Sequence, residues 1–236
     1  MTDADSFATL FRAPVTVHGL LIHQEPPRDL DAGSLDTGCT IWPAARAAAD
    51  ALMERGGGGG SGTLGELVRG RRVLEIGAGT GLAGLACAAA GAAKVTLTDL
   101  PHRLPLLLRN VTANRWVTTL CACELAAAPL DWVEVGRAGD PALLRGVEVV
   151  IGTDLVHEVE HAQPVTALLE ALYAASPGAT LVWAQEAHNA MAVAALKRLL
   201  EQQLALTLVR HSSFGARGVV SVGTRADRHM HDEGVV

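Results

Sequence analysis

Aromatic side chains are scarce in this chain of 236 residues, and its basic side chains, almost all of them arginine, form no cluster. It contains four Trp, three Phe and one Tyr, and its only lysines are Lys94 and Lys197. A surface that follows phosphates and stacks bases needs both kinds of residue, so nucleic-acid binding is not expected. The net charge of −6 at neutral pH favours basic partners, such as protein segments that carry Lys or Arg.

Metal-binding, secretory and membrane patterns are missing as well. The four cysteines have no zinc-ligand spacing, and the pair Cys121 and Cys123, expected on one face of a strand, is typical of packing. Residues 1–5 lack the positive charge and apolar run of a signal peptide, and no apolar stretch is long enough for a membrane span. No metal and no membrane are expected, and the cytoplasm or the nucleus is the expected compartment.

The stretch 73–81, Val-Leu-Glu-Ile-Gly-Ala-Gly-Thr-Gly, is the most informative pattern in the chain. An apolar run changes to glycines and then to the helix-forming composition of residues 82–90, which predicts a strand, a tight turn and a helix. Glycine allows positive φ and close approach of the backbone to a ligand, and the N–H groups at the helix start point the same way. A tight turn without a ligand is the alternative.

Two nucleotide cofactors use such a turn. Gly79-x-Gly81-x-x-Gly84 fits the dinucleotide fingerprint, whereas Gly77-x-Gly79-x-Gly81 fits the turn that binds S-adenosylmethionine (SAM). Glu75, two residues before the first glycine, favours SAM. A carboxylate there is expected to attract the sulfonium and ammonium groups of SAM and to repel a pyrophosphate.

Strand-like and helix-like segments alternate from residue 72 onward, which predicts a Rossmann-like α/β fold. We expect a mostly parallel sheet of seven strands with an antiparallel last strand and helices on both faces. Strands are expected at 73–76, 94–99, 117–123, 147–152, 179–184, 204–210 and 217–222. Helices are expected at 43–53, 82–90, 101–116, 161–175 and 189–203.

Three regions are expected along the chain. Residues 1–37 form an N-terminal strand and loop extension, with a strand or hairpin at 15–22 and a loop at 24–37. Residues 38–225 form the main domain, interrupted by a flexible Gly-rich segment at 56–62. Residues 226–236 form a disordered tail.

Three side chains are expected at the carboxyl ends of strands, where open α/β sheets bind their ligands. Asp99 lies about twenty residues after the glycine turn, where an acid binds ribose hydroxyls; a helix N-cap is the alternative. Trp132 either covers an adenine face or plugs the edge of the sheet. Asp154 follows a buried strand, where an unpaired charge is costly, so ligand binding, an N-cap and a salt bridge are its three interpretations.

The motifs together resemble the methyltransferase-like protein-lysine methyltransferase family, a branch of the seven-β-strand SAM enzymes. The resemblance runs from about residue 38 to about residue 225 and depends on the order and spacing of its motifs. The matching segments are 42–45, 73–81, 97–99, 106–114, 130–132 and 152–157.

The resemblance implies which residues bind SAM. They lie in the glycine turn, at the strand ends and before the first helix of the main domain. Trp42 would line the cofactor pocket, Gly77, Ala78 and Gly79 would contact the methionine part, Asp99 the ribose, Trp132 the adenine region, and Thr153 would lie beside the cofactor; Glu75 and Gly81 complete the expected set.

The resemblance also implies the target side of the site. Asp154 would begin the family's Asp-x-x-Tyr motif beside the target amine, and in this chain the motif ends in His157. A lysine amine must lose its proton before it can accept a methyl group. The hypothesis is that Asp154 orients the target nitrogen and that His157 hydrogen-bonds nearby or relays the proton. For His157, a simple place at the start of a helix is the alternative.

The expected function is SAM-dependent methylation of a side-chain nitrogen on a protein substrate, with lysine favoured. Because His157 stands where the family motif has Tyr, methylation of arginine or of a small molecule stays open. A non-catalytic SAM-binding interaction module and an NAD-dependent dehydrogenase stay open as well. A monomer is the expected state.

Overall fold

The computed structural model describes residues 13–26, 28–30, 34–36, 38–54, 63–133, 141–215 and 218–225. The flexible segment expected at 56–62 and the disordered tail expected at 226–236 lie outside the described residues, as does the start of the N-terminal extension, residues 1–12. The strands are β1 Val15–Val17, β2 Leu20–Ile22, β3 Arg28–Leu30, β4 Ser34–Asp36, β5 Arg72–Ile76, β6 Lys94–Asp99, β7 Glu124–Pro129, β8 Val149–Thr153, β9 Thr180–Glu186, β10 Leu206–Phe214 and β11 Gly218–Arg225.

The helices alternate with the strands of the sheet, as the sequence predicts. They are α1 Pro43–Met53, α2 Leu64–Val68, α3 Leu82–Ala89, α4 Leu104–Ala113, α5 Trp116–Leu120, α6 Pro141–Leu144, α7 Ala162–Ala175 and α8 Ala190–Gln202. Short 3₁₀ turns, Pro101–Arg103 and Val159–His161, precede α4 and α7. Among the described residues, no helix combines the length and apolar character that spanning a membrane requires.

Seven strands form one sheet in the order β10-β11-β9-β8-β5-β6-β7. β5 pairs in parallel with β6 and β8, and the pairings of β7 and β9 extend the parallel part. The last strand, β11, runs antiparallel to both β9 and β10. This arrangement confirms the predicted fold class.

The sheet separates two apolar cores because its central strands are buried on both faces. Val73 belongs to the core that contains α1 and α3, whereas its neighbour Leu74 belongs to the core of α7 and α8. All five residues of β8 are buried, which explains why this strand reads as a continuous apolar run.

The predicted strand at 117–123 is wrong. Residues 116–120 form the short helix α5, and the strand follows as β7, whose sequence is Glu-Leu-Ala-Ala-Ala-Pro. Val and Thr at 117–119 favour a strand by propensity and Ala does not, but the parallel pairing of β7 with the edge of β6 overrides this preference. Cys121 caps α5 and Cys123 precedes β7, so the two thiols do not share a strand face.

The N-terminal region is also more regular than predicted. The strand or hairpin expected at 15–22 is the antiparallel pair β1 and β2. The loop expected at 24–37 contains a second antiparallel pair, β3 and β4. Asp and Pro in this stretch indicated a loop, yet short hairpins need few strand-forming residues.

Candidate active site

A cavity of about 380 Å³ opens at the carboxyl ends of β5, β6 and β8. The chain continues from β5 through β6 to β7 on one side and then crosses to β8 on the other side of β5, which makes this the switch point where α/β sheets bind ligands. Its size suits a nucleotide-like cofactor. A second depression of about 460 Å³ lies at the amino ends of the strands, beside Arg71 and Glu148, and the glycine turn does not line it.

The glycine turn after β5 forms one wall of this cavity. Gly77 and Gly79 have φ of 60° and 54°, a conformation that side chains rarely adopt. A Cβ on Gly79 would lie 2.9 Å from the carbonyl oxygen of Gly38, and a Cβ on Gly77 would lie 3.3 Å from the Trp132 ring. Glycine is needed here for close approach as well as for backbone conformation, and Ala78 lies between the two on the cavity wall.

Gly81 lies deeper than predicted. It is the N-cap of α3, with φ of 79°, and a Cβ there would lie 2.6 Å from Leu107 and 2.9 Å from Leu97. Gly81 is not among the residues that line the cavity. Its place in the structure is therefore to start the helix and let α3 pack closely, which differs from the expected cofactor contact.

Asp99 holds the turn from the side of β6. Its Oδ2 accepts a hydrogen bond from the Gly79 amide at 2.6 Å, and its Oδ1 accepts one from the Leu100 amide at 2.7 Å. Burial raises the pKa of this carboxyl, while the two amides and His102 oppose the rise. Asp99 lines the cavity, and its amide partners are not those of a helix N-cap.

Glu75 faces away from the cavity, so the prediction that its carboxylate meets the cofactor is wrong. Alternation along β5 directs it to the same face as Val73, towards α3. Only 1% of Glu75 is exposed, and its Oε2 accepts a hydrogen bond from the Gly84 amide at 3.0 Å. Burial raises the pKa of Glu75 to about 8, opposed by the Gly84 amide and increased by the charge of Asp99.

Trp132 lies on the opposite side of the turn. It lines the cavity close to Gly77 and also packs against the core of α7 and α8. The two interpretations of this residue, a flat surface for a ligand and a plug for the sheet edge, are compatible. Thr153, at the end of β8, completes this part of the wall.

Asp154 has a strained backbone and an unsatisfied oxygen. Its φ is 48°, a conformation that non-glycine residues adopt mainly where function or packing imposes it. Only 6% of the residue is exposed. Oδ1 accepts hydrogen bonds from Gln185 Nε2 at 3.0 Å and from the Glu186 amide at 2.8 Å, but Oδ2 is buried without a hydrogen-bond partner in the part of the chain that the structure describes.

The surroundings of Asp154 only partly offset the cost of burying its charge. Burial raises its pKa, while the Glu186 amide, His188 and the Ala44 amide oppose the rise. The Ala44 amide favours the ionised form without reaching hydrogen-bond geometry to Oδ2. No ion pair to Asp154 is found within the described ranges, which counts against the salt-bridge interpretation of this residue. Asp154 lines the cavity, and its unpartnered Oδ2 is itself buried.

Three rings, two of which line the cavity, lie close to one another. The Trp42 ring lies 5.6 Å from the ring of His157 and 5.5 Å from that of His188, and the two imidazoles are 6.5 Å apart. Burial, His161 and His188 lower the pKa of His157, against a smaller opposing effect of Glu158. His157 is therefore neutral at neutral pH, and both Trp42 and His157 line the cavity.

Sequence reasoning missed several residues of this site. His188 lies between β9 and α8, where no local pattern marks it, and the hydrogen bond from Asn189 Nδ2 to the His157 carbonyl oxygen joins its loop to that of His157. The others lie in connections that the fold brings together. They are Gly38, Thr40, Leu100, His102, Arg103, Leu155 and His161.

The strand order, the glycine turn and the cavity at the carboxyl ends define a Rossmann-like fold of the methyltransferase type. The solved structure of a Streptococcus mutans protein classed as a SAM-dependent methyltransferase has the same fold. It matches with a TM-score of 0.56 at 16% identity, over 89% of this chain and 55% of its own.

The family follows from the sequence comparison. The family model for lysine methyltransferases matches residues 28–200, and the chain belongs to this family. It is similar to the protein N-lysine methyltransferase METTL21A of Danio rerio, with 36% identity over 115 residues and 49% of each chain. It is also similar to EEF1A lysine methyltransferase 3 of Xenopus tropicalis, with 50% identity over 46 residues and 20% of each chain. The matched region spans about half or less of these curated relatives.

Proposed function

We propose that this chain is a SAM-dependent N-methyltransferase that modifies lysine side chains of a protein substrate. The observation that carries the proposal is one cavity lined by both the glycine turn and Asp154, whose buried carboxyl has one oxygen without a hydrogen-bond partner among the described residues. Membership of the lysine methyltransferase family supports the proposal, as do the names of the two curated relatives.

The cofactor side of the cavity fits SAM better than a dinucleotide. The Asp99 carboxylate lies against the Gly79 amide, which is a group that a pyrophosphate would need for binding. Asp99 repels a phosphate there, and its remaining lone pairs are suited to ribose hydroxyls. The flat Trp132 ring beside Gly77 offers a surface for an adenine. Glu75 was expected to attract the cationic groups of SAM and to repel a pyrophosphate. In the structure, Asp99 is the carboxyl that lies where it would do so.

The target side of the cavity suits an amine that must lose a proton. Bound SAM supplies an electrophilic methyl group on a sulfonium. The carboxyl of Asp154 at the cavity wall would position the target nitrogen, and the imidazole of His157 would take up or relay the proton. The Trp42 ring lies next to His157, and removal of water from around a lysine amine by such an apolar wall would lower the pKa of the amine.

The first experiment measures transfer from tritiated-methyl SAM to a heat-treated lysate, with the modified residue identified by mass spectrometry. We expect the label on lysine. Asp154→Asn keeps the shape but removes the charge, and we expect the rate to fall by about 100-fold, the loss that misplacement of a reacting group by about 1 Å can cause. The affinity for SAM should change little, since Asp154 acts on the target nitrogen.

The matched control is Asp50→Asn, which removes an exposed carboxylate on α1 that pairs with His18 and Arg46. It should methylate at the wild-type rate. If Asp154→Asn keeps both rate and target choice, the role of Asp154 is wrong. Label on arginine or on small molecules would replace the lysine assignment, and SAM binding without any transfer would indicate an interaction module.

A further inference from the structure

Two asparagines at the end of α4 bind the N-terminal part of the chain. Asn114 Oδ1 accepts a hydrogen bond from the Leu21 amide, and Asn114 Nδ2 donates to the Leu21 carbonyl oxygen, both at 2.8 Å. One helical turn earlier, Asn110 Oδ1 accepts from the His23 amide at 2.7 Å, and Nδ2 donates to the His23 carbonyl oxygen at 3.0 Å. The two amides act as a strand would, binding alternate residues of the backbone. Both asparagines are fully buried.

The bound segment leads directly to the cavity. Beyond His23, the Glu25 amide donates to the Cys39 carbonyl oxygen at 3.0 Å, and the Ile41 amide donates to Gln24 Oε1 at 2.7 Å. Residues 20–25 and 38–42 thus form one connected layer, which we call the strap. Its residues Gly38, Thr40 and Trp42 line the cavity.

Beyond the strap, Asn114 Nδ2 donates to the Asn110 carbonyl oxygen at 2.8 Å, whereas Asn110 contacts the glycine turn. Its Nδ2 also donates to the carbonyl oxygen of Thr80 in the glycine turn, at 2.9 Å. The amide on the other side of that peptide bond, that of Gly81, donates to the Ala78 carbonyl oxygen at 2.7 Å. Because a peptide unit is planar, these two hydrogen bonds fix the orientation of the whole 80–81 peptide.

We propose that Asn110 is a positioning residue that couples the strap to the glycine turn, so that cofactor affinity depends on both. The inference rests on the proposed function, because the ligand of the turn is taken to be SAM. Removal of the Asn110 amide leaves the buried Thr80 carbonyl oxygen without this donor and releases the strap at the same time. The turn then loses the shape in which its amides and Asp99 meet a ligand.

The test compares Asn110→Ala with Asn114→Ala. Both variants remove hydrogen bonds to the strap, so both should lower the melting temperature, but only the first also frees the Thr80 carbonyl oxygen. Calorimetric titration with SAM, well below both melting temperatures, should show about tenfold weaker binding for Asn110→Ala, as expected for one buried hydrogen-bonding group out of place. For Asn114→Ala the affinity should stay within about threefold of the wild type.

Wild-type affinity in Asn110→Ala overturns the inference, and so does an equal loss in the two variants, which would show a merely structural role. A wild-type protein that does not bind SAM overturns the proposed function instead. If Asn110→Ala does not fold, hydrogen exchange on the wild-type protein decides. SAM should slow exchange at the Leu21 and His23 amides by about threefold or more, relative to Val220 in β11; no such slowing contradicts the coupling.

Discussion

At the scale of single residues, two carboxylates hold one turn from opposite sides. Asp99 accepts a hydrogen bond from the Gly79 amide on the side of the cavity. Glu75 accepts one from the Gly84 amide on the side of the core. The first contacts a potential ligand site, whereas the second supports the backbone behind it. Their different environments explain why two acids on neighbouring strands serve different purposes.

The buried carboxyl of Glu75 predicts a dependence of stability on pH. Its pKa of about 8 in the folded protein lies above the ordinary value of 4.5, so between these values the folded state holds a proton that the unfolded state has lost. The free energy of unfolding should therefore fall as pH rises through this window, by up to about 1.4 kcal/mol per pH unit. Above about pH 8, the stability that comes from the neutral form of Glu75 in the folded protein is lost.

Urea unfolding of the wild type and Glu75→Gln between pH 5 and 9 measures this effect. The amide side chain of the variant cannot ionise and still offers an oxygen to the Gly84 amide. The free energy of unfolding of the variant, relative to that of the wild type, should therefore increase as pH rises. Parallel stability curves for the two proteins would show that Glu75 does not titrate as described.

At the scale of an element, α3 lies unusually close to the sheet. Residues Leu82 to Ala88 are all buried, so this part of the helix has no solvent face and packs against strands and helices on every side. Small residues at its start make the approach possible. A Cβ on Gly84 would lie 2.9 Å from Leu97 and would also meet the Glu75 carboxylate.

Gly84→Ala is expected to destabilise the protein in spite of helix propensity. Alanine gains about 1 kcal/mol over glycine in a helix interior, but overpacking a filled core costs about 1–3 kcal/mol, and here the clash also breaks the Glu75 hydrogen bond. We expect a net loss of about 1–2 kcal/mol in chemical unfolding. Gly178→Ala is the control, since no atom lies within 4 Å of its Cβ position, and a stabilised Gly84→Ala would contradict the packing described.

At the scale of the whole molecule, the sheet gathers one site from distant segments. The cavity wall comes from residues around 38–45, 77–80, 99–103, 131–133 and 153–164. A ligand that contacts all of them binds the folded chain only, and its binding free energy adds to the free energy of unfolding.

Thermal unfolding should therefore distinguish the two nucleotide cofactors. At a SAM concentration of about 100 times its Kd, stabilisation of about 2.7 kcal/mol is expected, which corresponds to a rise in Tm of about 5–10 °C for a domain of this size. NAD should leave the Tm unchanged, because the Gly79 amide that a pyrophosphate would need already donates its hydrogen bond to Asp99. A shift with NAD and none with SAM would favour the dehydrogenase interpretation.

The errors of sequence interpretation have a common physical cause. The strand expected at 117–123 followed local propensity, and β7 exists because its backbone completes the edge of β6. The orientation of Glu75 was inferred from its distance to the glycines, whereas the alternation of β5 directs it to α3. The SAM-binding roles of Trp42, Gly77, Ala78, Gly79, Asp99, Trp132 and Thr153 stay predictions, although all seven line one cavity.

What the chain specifies locally was readable from its residues alone: the alternation of strand and helix, the glycine turn and the acids that follow strands. The hydrophobic period and the conformational freedom of glycine depend on a few neighbouring residues, so they can be recognised without the tertiary structure. Only the tertiary structure decided that Glu75 supports the turn, that His188 meets His157 and Trp42, and that Asn110 joins the strap to Thr80. Those contacts depend on strand order and on packing between segments far apart in the chain, which no local pattern encodes.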